Sequence, residues 1–234
     1  LSMSSDWPTI ASTVEQLLGF DGVTNTVTLL ARSNDGANDN TINGGTAFIG
    51  DWVDPAAGGW QHGWTDDTLE NGLLNYINAL PAATKAAPTA VVWLHNEYDS
   101  TNASLTTAGW MSAVKFEAQQ VRAALGQSAA TVPYLFVNAI PYNASIPSVN
   151  QAIKLGMQQL AADLAFNALV GVQAGDLNMD GTYFGANGTP GFYGGGHMSA
   201  PDISLVAGRL ARAIAETFAQ YAQPGSPVAN GTLD

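Results

Sequence analysis

The alternation of short apolar runs with longer helical patterns most constrains what this chain can fold into. Four runs rich in β-branched and other apolar residues are typical of strands and span residues 25–31, 89–95, 132–140 and 167–173. Apolar residues at helical spacing predict helices over residues 65–80, 105–126, 148–166 and 199–222, and Gly126 is the expected C-cap of the second. Strands that alternate with helices of this length favour a parallel sheet covered on both faces. We therefore predict an α/β fold of three α/β/α layers with a central, mostly parallel sheet.

The length and composition fit one domain. The 234 residues are 46% hydrophobic, which is enough to bury a substantial core. No apolar run approaches the length of about eighteen residues that a membrane span needs. We expect a single domain over residues 1–224 and a tail or linker over residues 225–234, which are rich in Gly, Ser and Pro.

The charge balance argues against two classes of partner. The chain has 19 acidic and 7 basic residues and a net charge of −12, which disfavours binding to nucleic acid and to an anionic membrane surface.

The chain has no cysteine, which excludes disulfides, thiolate metal sites and a cysteine nucleophile. An acidic, cysteine-free composition rich in Asn, Gly and Thr is typical of bacterial secreted proteins, so we expect an extracytoplasmic location.

The predicted sheet indicates where a site would form. In open α/β sheets ligands bind at the carboxyl ends of the strands. The polar segments that follow the four predicted strands are RSNDG (32–36), HNEYD (95–99), PYN (141–143) and AGDLNMDG (174–181). His197 lies in the glycine-rich stretch FYGGGHMSAPD just before the last predicted helix, so we expect it at the same edge.

A serine and a histidine at this edge are a candidate nucleophile and base. Ser33 follows the first predicted strand in a turn-like setting, although a lone serine there is more often an ordinary turn residue. His197 follows three consecutive glycines, which offer no packing neighbours to a core histidine. Together the two residue types suit nucleophilic catalysis, in which the imidazole takes the proton of the hydroxyl.

The segment after the second predicted strand supplies candidate oxyanion donors. Asn96 or His95 has a side chain that can donate a hydrogen bond to a developing oxyanion. The backbone N–H of Gly63, just before a predicted helix, and that of Ser33 are further candidate donors. The simpler interpretation of the neighbouring acids is structural, with Asp99 capping a turn and Glu97 solvated.

The order of these blocks resembles the SGNH hydrolases, and most closely their branch of carbohydrate acetylesterases related to sialate O-acetylesterases. The resemblance covers residues 25–215 approximately and rests on four blocks, one of which is Gly63 before the first long predicted helix. The family's first block reads roughly G-Q-S-N, and this chain has Ala31–Asn34 there. A later family block reads W-x-Q-G-E-x-D, and this chain has Trp93–Asp99. The last family block reads D-x-x-H and is followed by a helix with a G-x-R-L-A pattern, and this chain has Gly194–His197 followed by Gly208–Ala211. The resemblance implies a flavodoxin-like sheet order, Ser33 as nucleophile, His197 as base, and no cofactor. It also implies supporting roles for Arg32, Asn34, Glu97 and Asp99.

The chain departs from the family pattern at the acid of the triad. Gly194 stands where the family has the aspartate that orients the histidine, Arg32 replaces a glutamine, and His95-Asn96 replaces Gln-Gly. A backbone carbonyl can orient His197 and leave a Ser-His dyad, a carboxylate from elsewhere can take the role, or the site is inactive. The carboxylates considered are Asp180, Asp176, Glu97 and Asp202, and we favour a dyad or a relocated acid, with Asp180 as the candidate.

The segment DLNMDG (176–181) has a second interpretation. Asp176, Asn178 and Asp180, followed by Gly181, match the opening of a calcium loop. Asn187 stands at the twelfth position, where such loops carry a bidentate Glu. A solvated turn is therefore the favoured interpretation, with calcium as the alternative, and we expect no resident cofactor.

The sequence as a whole predicts a serine esterase that hydrolyses O-acyl esters on a carbohydrate, with acetyl as the expected acyl group. Aromatic residues in the predicted loops are suited to stacking on sugar rings: Trp52, Trp60, Trp64 and Tyr142. Three alternatives remain open on the same fold. They are a sugar O-acyltransferase, a non-catalytic glycan-binding module, and a calcium-dependent structural module.

Overall fold

The computed structural model describes most of the chain. The described residues are 7–30, 70–94, 97–103, 105–138, 145–177, 182–184, 190–192, 198 and 200–230. They fall into two compact units, one formed by residues 1–31 and 171–234 and the other by residues 32–170. Each unit is described by itself below, and the single domain over residues 1–224 stays a prediction.

A small parallel sheet lies at the centre of the unit 32–170. Strands β1 (Val91–Leu94) and β2 (Tyr134–Val137) run parallel, with Val91 opposite Tyr134 and Leu94 opposite Val137. The sheet order is β1-β2-β3, where β3 (Ala168–Val172) begins in this unit. All four β2 residues are buried, as expected for a strand of a covered parallel sheet. The mixed α/β character is therefore confirmed, while the three-layer arrangement stays a prediction.

Four helices of this unit follow the predicted pattern or extend it. They are α2 (Glu70–Ala79), α3 (Ala82–Ala86), α4 (Thr107–Leu125) and α5 (Pro147–Ala162). The Thr106 side chain accepts a hydrogen bond from the N–H of Gly109 and caps the start of α4. Gly126 ends α4 in the left-handed conformation with φ of 69°, which confirms the predicted C-cap.

The unit formed by residues 1–31 and 171–234 is built on two helices that pack against each other. Helix α1 (Trp7–Leu18) buries Ile10, Val14 and Leu18 at a spacing of four residues, and α6 (Ala200–Thr217) buries Val206, Leu210 and Ile214 in the same way. A short antiparallel hairpin joins β4 (Thr182–Phe184) to β5 (Pro190–Phe192). Among the described residues, no helix is long and apolar enough to cross a membrane.

Two 3-10 helices follow α6, at Ala219–Tyr221 and Pro227–Asn230. The second packs against α1, and Ser226 and Val228 are buried. The described part of the segment expected to be a tail or linker, residues 225–230, therefore packs against the unit.

The first predicted strand is wrong over its described residues. Residues 25–30 form no strand, and the sequence pattern did not predict α1, which precedes them. Side chains bind two backbone donors of this segment, those of Asn25 and Val27, and two just before it. Asp21 Oδ1 accepts hydrogen bonds from the N–H groups of Val23, Thr24 and Asn25, and Glu15 Oε1 accepts one from Val27 at 2.7 Å. Donors that a sheet ladder would use are thus already engaged.

Trp110 of α4 is the centre of the core of the unit 32–170. Its side chain is fully buried and contacts Trp93 of β1 edge-to-face at 6.3 Å and Phe136 of β2 at 5.8 Å between ring centroids. On α5, Gly156 leaves room for the indole, because a Cβ there would lie 2.7 Å from Trp110 Cε3. A residue without a side chain is therefore required at this crossing of α4 and α5.

We expect Gly156→Ala to destabilise the protein by about 1–3 kcal/mol, because the added methyl overlaps a buried indole that has little room to move. The matched control is Gly208→Ala on α6, where a Cβ meets no atom within 4 Å. That change should be neutral or stabilise by up to about 1 kcal/mol, since alanine reduces the entropy of the unfolded chain. Denaturant unfolding of both variants checks the prediction, and equal midpoints would contradict it.

Candidate functional site

The carboxyl ends of β1 and β2 lie side by side, as the sequence analysis expects for the site. The register places Leu94, the last residue of β1, opposite Val137, the last residue of β2. After β1 the chain enters a 3-10 helix over Glu97–Thr101, and after β2 it leads to α5, which begins at Pro147. The acidic block that carries Glu97 and Asp99 is thus confirmed at the carboxyl end of a parallel strand.

A serine pair joins the two segments that follow these strands. Ser100 Oγ and Ser145 Oγ are 2.6 Å apart, and the N–H of Ile146 donates to the carbonyl oxygen of Ser100 at 2.8 Å. Ser100 is 2% exposed and Ser145 is half-buried, so the contact is partly shielded from water. These bonds hold the 3-10 helix against the start of α5, and they fix the backbone that leads away from residues 95–96.

Asp99 is a buried acid. It is 1% exposed and lies in the 3-10 helix next to Ser100. Aspartate is rarely buried to this degree unless its carboxylate is paired, and Asp99 makes polar interactions. Its backbone carbonyl also accepts a hydrogen bond from the N–H of Asn102 at 3.1 Å. This environment suits the supporting role that the resemblance implies.

Most of the residues predicted to do chemistry lie outside the described residues. These are Ser33, His197, Gly63, His95, Asn96, Arg32, Asn34, Asn178 and Asp180. Glu97 is described in its backbone alone. The nucleophile, the base, the oxyanion donors and the acid Asp180 therefore stay predictions, and so do two of the three calcium ligands.

In the unit formed by residues 1–31 and 171–234, Asp176 is held by an arginine of α6. Arg209 Nη1 and Nη2 donate to the two carboxylate oxygens of Asp176 at 2.8 and 2.7 Å, and Nη1 also donates to the carbonyl oxygen of Gln173 at 2.6 Å. The hydrogen bonds and charge of Arg209 lower the pKa of Asp176 to about 2. Asp176 in turn raises the pKa of Arg209.

This ion pair bears on two of the roles considered for Asp176. Both carboxylate oxygens already accept hydrogen bonds from Arg209, so orienting His197 or binding calcium would compete with a bidentate contact. Within the described part of the chain, no group of three or more acidic or histidine side chains is arranged to hold a metal ion. Calcium ligation by Asp176 would therefore use a carboxylate that Arg209 already binds through both oxygens.

Asp202, another carboxylate considered as the relocated acid, also interacts with Arg209. It lies in the first turn of α6, and its charge contributes to the raised pKa of Arg209. One guanidinium is thus the electrostatic partner of two candidate acids. The sequence pattern does not predict this contact, because Arg209 lies 33 residues from Asp176 in the chain and local patterns do not reach that far.

The serine pair gives the first prediction from this geometry. We expect Ser100→Ala and Ser145→Ala each to cost about 1–3 kcal/mol, because each leaves the other, partly shielded hydroxyl without this partner. Their coupling in a double-mutant cycle should be about 1 kcal/mol. Ser12→Ala is the control, because Ser12 is exposed on α1 and bonds only to the carbonyl of Thr9 within its own helix. Strict additivity of the two changes would contradict the pairing.

The second prediction concerns the Asp176 ion pair. In Arg209→Lys a single ammonium replaces the two-pronged guanidinium, so the pKa of Asp176 should rise from about 2 toward its ordinary value of 3.8. A depressed pKa stabilises the fold above pH 3.8 and loses that contribution as pH falls through about 2. Carboxyl-carbon NMR titration measures the change. Arg212→Lys, which alters a pair with Glu216 on the same helix, should leave the Asp176 titration where it is.

Comparison with protein-family models, with curated proteins and with solved structures finds no match to this chain. The resemblance to the SGNH hydrolases therefore rests on the residues and their order, and it stays a prediction.

Proposed function

We propose that this protein is a serine esterase that hydrolyses O-acyl esters on a carbohydrate, with acetyl as the expected group. The observation that carries the proposal is the order of four sequence blocks: Ser33-Asn34, Gly63, Trp93–Asp99 and His197 before the last helix. Two structural features support it. The third block includes the last two residues of β1 and continues past the carboxyl end of this parallel strand, and α6 begins at Ala200, three residues after His197.

In the proposed reaction Ser33 and His197 act as nucleophile and base. The Ser33 hydroxyl oxygen attacks the acyl carbon while His197 takes its proton. His197 then returns the proton to the sugar oxygen as the bond between that oxygen and the acyl carbon breaks. A water molecule attacks the acyl-enzyme with His197 again as base, which releases the carboxylic acid and regenerates Ser33.

The negative charge that develops on the acyl oxygen needs fixed hydrogen-bond donors. The backbone N–H groups of Ser33 and Gly63 and a side chain of Asn96 or His95 are proposed for this role. The buried 3-10 helix and the Ser100–Ser145 contact support it, because they anchor the backbone that directly follows residues 95–96. A donor held in place before the reaction stabilises the transition state without reorganisation.

The group that orients His197 is proposed to be the carboxylate of Asp180 or a backbone carbonyl. Asp176 is the weaker choice because Arg209 already occupies both of its carboxylate oxygens. In serine proteases, loss of the acid's function lowers turnover by about 10⁴-fold and leaves considerable catalysis. A Ser-His dyad therefore remains compatible with esterase activity.

The substrate is proposed to be an acylated carbohydrate encountered outside the cytoplasm. The aromatic loop residues suit sugar stacking, and the net charge of −12 disfavours nucleic acid as a partner. The proposed chemistry uses no resident cofactor. The same residues would serve an acyltransferase that hands the acyl group to a sugar hydroxyl instead of water, and acceptor-dependent kinetics separate the two.

We expect the intact protein to hydrolyse p-nitrophenyl acetate at neutral pH, and Ser33→Ala and His197→Ala each to lower the rate by about 10²-fold or more. Ser12→Ala serves as the matched serine control and should retain the full rate, since Ser12 lies exposed on α1. Circular dichroism of each variant establishes that the loss is not caused by unfolding.

Equal, low rates in all four proteins would contradict the Ser33–His197 mechanism for this ester. Acetylated oligosaccharides are then the second substrate, and binding of these glycans without turnover would establish the non-catalytic alternative. A melting temperature that falls on addition of a calcium chelator would instead favour the calcium-dependent module.

A further inference from the structure

A carboxyl group is buried between α4 and β2. Glu117 of α4 is 4% exposed and Tyr134 of β2 is fully buried. The Tyr134 hydroxyl donates a hydrogen bond to Glu117 Oε2 at 2.8 Å. Acidic side chains are almost never buried this deeply without a compensating partner, so this carboxyl needs an explanation.

The nearest cation in this core is bound to other groups. Arg122, also on α4 and 7% exposed, donates to the carbonyl oxygen of Val132 at 2.8 and 3.2 Å and to that of Phe166 at 2.7 Å. Its guanidinium carbon lies 4.9 Å from the centre of the Tyr134 ring and 5.0 Å from that of the Phe166 ring. The guanidinium is therefore satisfied by carbonyl oxygens and aromatic faces, and Tyr134 contacts both it and Glu117.

The elements around Glu117 add little further charge. The apolar side chains that α5 contributes to this core are Val149, Ile153, Met157 and Leu160, and the helix also buries Asn150, which carries no charge. Lys115 of α4 and Asp163, which follows α5, pair with each other at the surface at 2.8 Å, with 46% and 32% of their side chains exposed. Tyr134 and Arg122 are thus the groups that act on the Glu117 carboxyl. Burial raises its pKa to about 7, and the hydroxyl of Tyr134 and the charge of Arg122 oppose that rise.

We propose that Glu117, Tyr134 and Arg122 form a contact between α4, β2 and the turn at residues 163–167 whose stability depends on the protonation of Glu117. This contact is stable while Glu117 is protonated. Loss of that proton places a carboxylate inside the core and loosens the packing of α4 against β2. The unit 32–170 is therefore more stable in mildly acidic than in alkaline surroundings, whether or not the protein is an esterase.

The direction follows from the difference between the folded and unfolded states. The pKa of Glu117 is about 7 in the fold and has an ordinary value of 4.5 in the unfolded chain. The stabilisation is complete below pH 4.5 and is lost as pH rises through about 7, because the folded state binds the proton more tightly. Between pH 5 and pH 8 this difference corresponds to an increase in the unfolding equilibrium constant of about 70-fold.

The test compares the full-length protein with Glu117→Gln. Glutamine has the same shape and keeps an oxygen to accept the Tyr134 hydrogen bond, but it cannot ionise. We expect the unfolding equilibrium constant of the native protein to rise between pH 5 and pH 8 by about 70-fold more than that of Glu117→Gln. Glu216→Gln on α6, which removes a half-buried acid paired with Arg212, is the control and should keep the native pH dependence.

Hydrogen exchange in peptides that cover residues 107–125 and 134–137 locates the effect. After correction for the intrinsic pH dependence of exchange, these peptides should exchange faster at pH 8 than at pH 5 in the native protein and equally in Glu117→Gln. The same pH dependence in both proteins would overturn the proposal.

A direct titration of the native protein keeps the test valid if Glu117→Gln does not fold. Carboxyl-carbon NMR should give Glu117 a midpoint near 7, and Tyr134→Phe should raise it further because the hydrogen bond that favours the charged form is removed. A midpoint near 4.5 would overturn the proposal.

Discussion

The parallel pairing of β1 with β2 is the constraint on which the rest of the unit 32–170 depends. It joins residues 91–94 to residues 134–137, and it places the chain segments that follow both strands at one edge. Between the two strands the chain forms α4, whose Trp110 contacts Trp93 and Phe136 and closes against Gly156 of α5. The pairing places the segments that carry Ser100 and Ser145 at the same edge. The contact between these serines, which are 45 residues apart in the chain, is therefore a tertiary feature and not a local one.

The described parts of the two units use charge in opposite ways. Arg209 and Asp176 meet at a partly exposed surface, where solvent reduces the energetic value of the pair but the two-pronged geometry still fixes the loop after β3 to α6. Glu117 lies inside a core, where solvent offers no compensation and a single hydroxyl faces the carboxylate oxygen. Burial therefore makes the protonation state of Glu117 part of the folding equilibrium.

The proposed esterase mechanism depends on a few segments whose backbone is held next to the proposed site residues. The 3-10 helix Glu97–Thr101 buries Asp99 and Ser100 beside the strand end from which the oxyanion donors are proposed to come. In the unit formed by residues 1–31 and 171–234, Arg209 binds Asp176 and interacts electrostatically with Asp202. This pairing sets apart two of the four carboxylates considered for orienting His197, and the choice of Asp180 or a backbone carbonyl stays a proposal.

Local patterns in the sequence determined the positions of β1, β2, β3 and α4–α6, and the C-cap at Gly126, because hydrophobic periodicity and glycine conformation act within a few residues. They also located the acidic block at a strand end. They failed at residues 25–30, where Asp21 and Glu15 take the backbone donors, and they gave no sign of the burial of Glu117 or the partner of Arg209. Only the tertiary structure decided these features, because the environment of a side chain depends on residues distant in sequence. Whether a carboxyl group is solvated, paired or protonated follows from that environment.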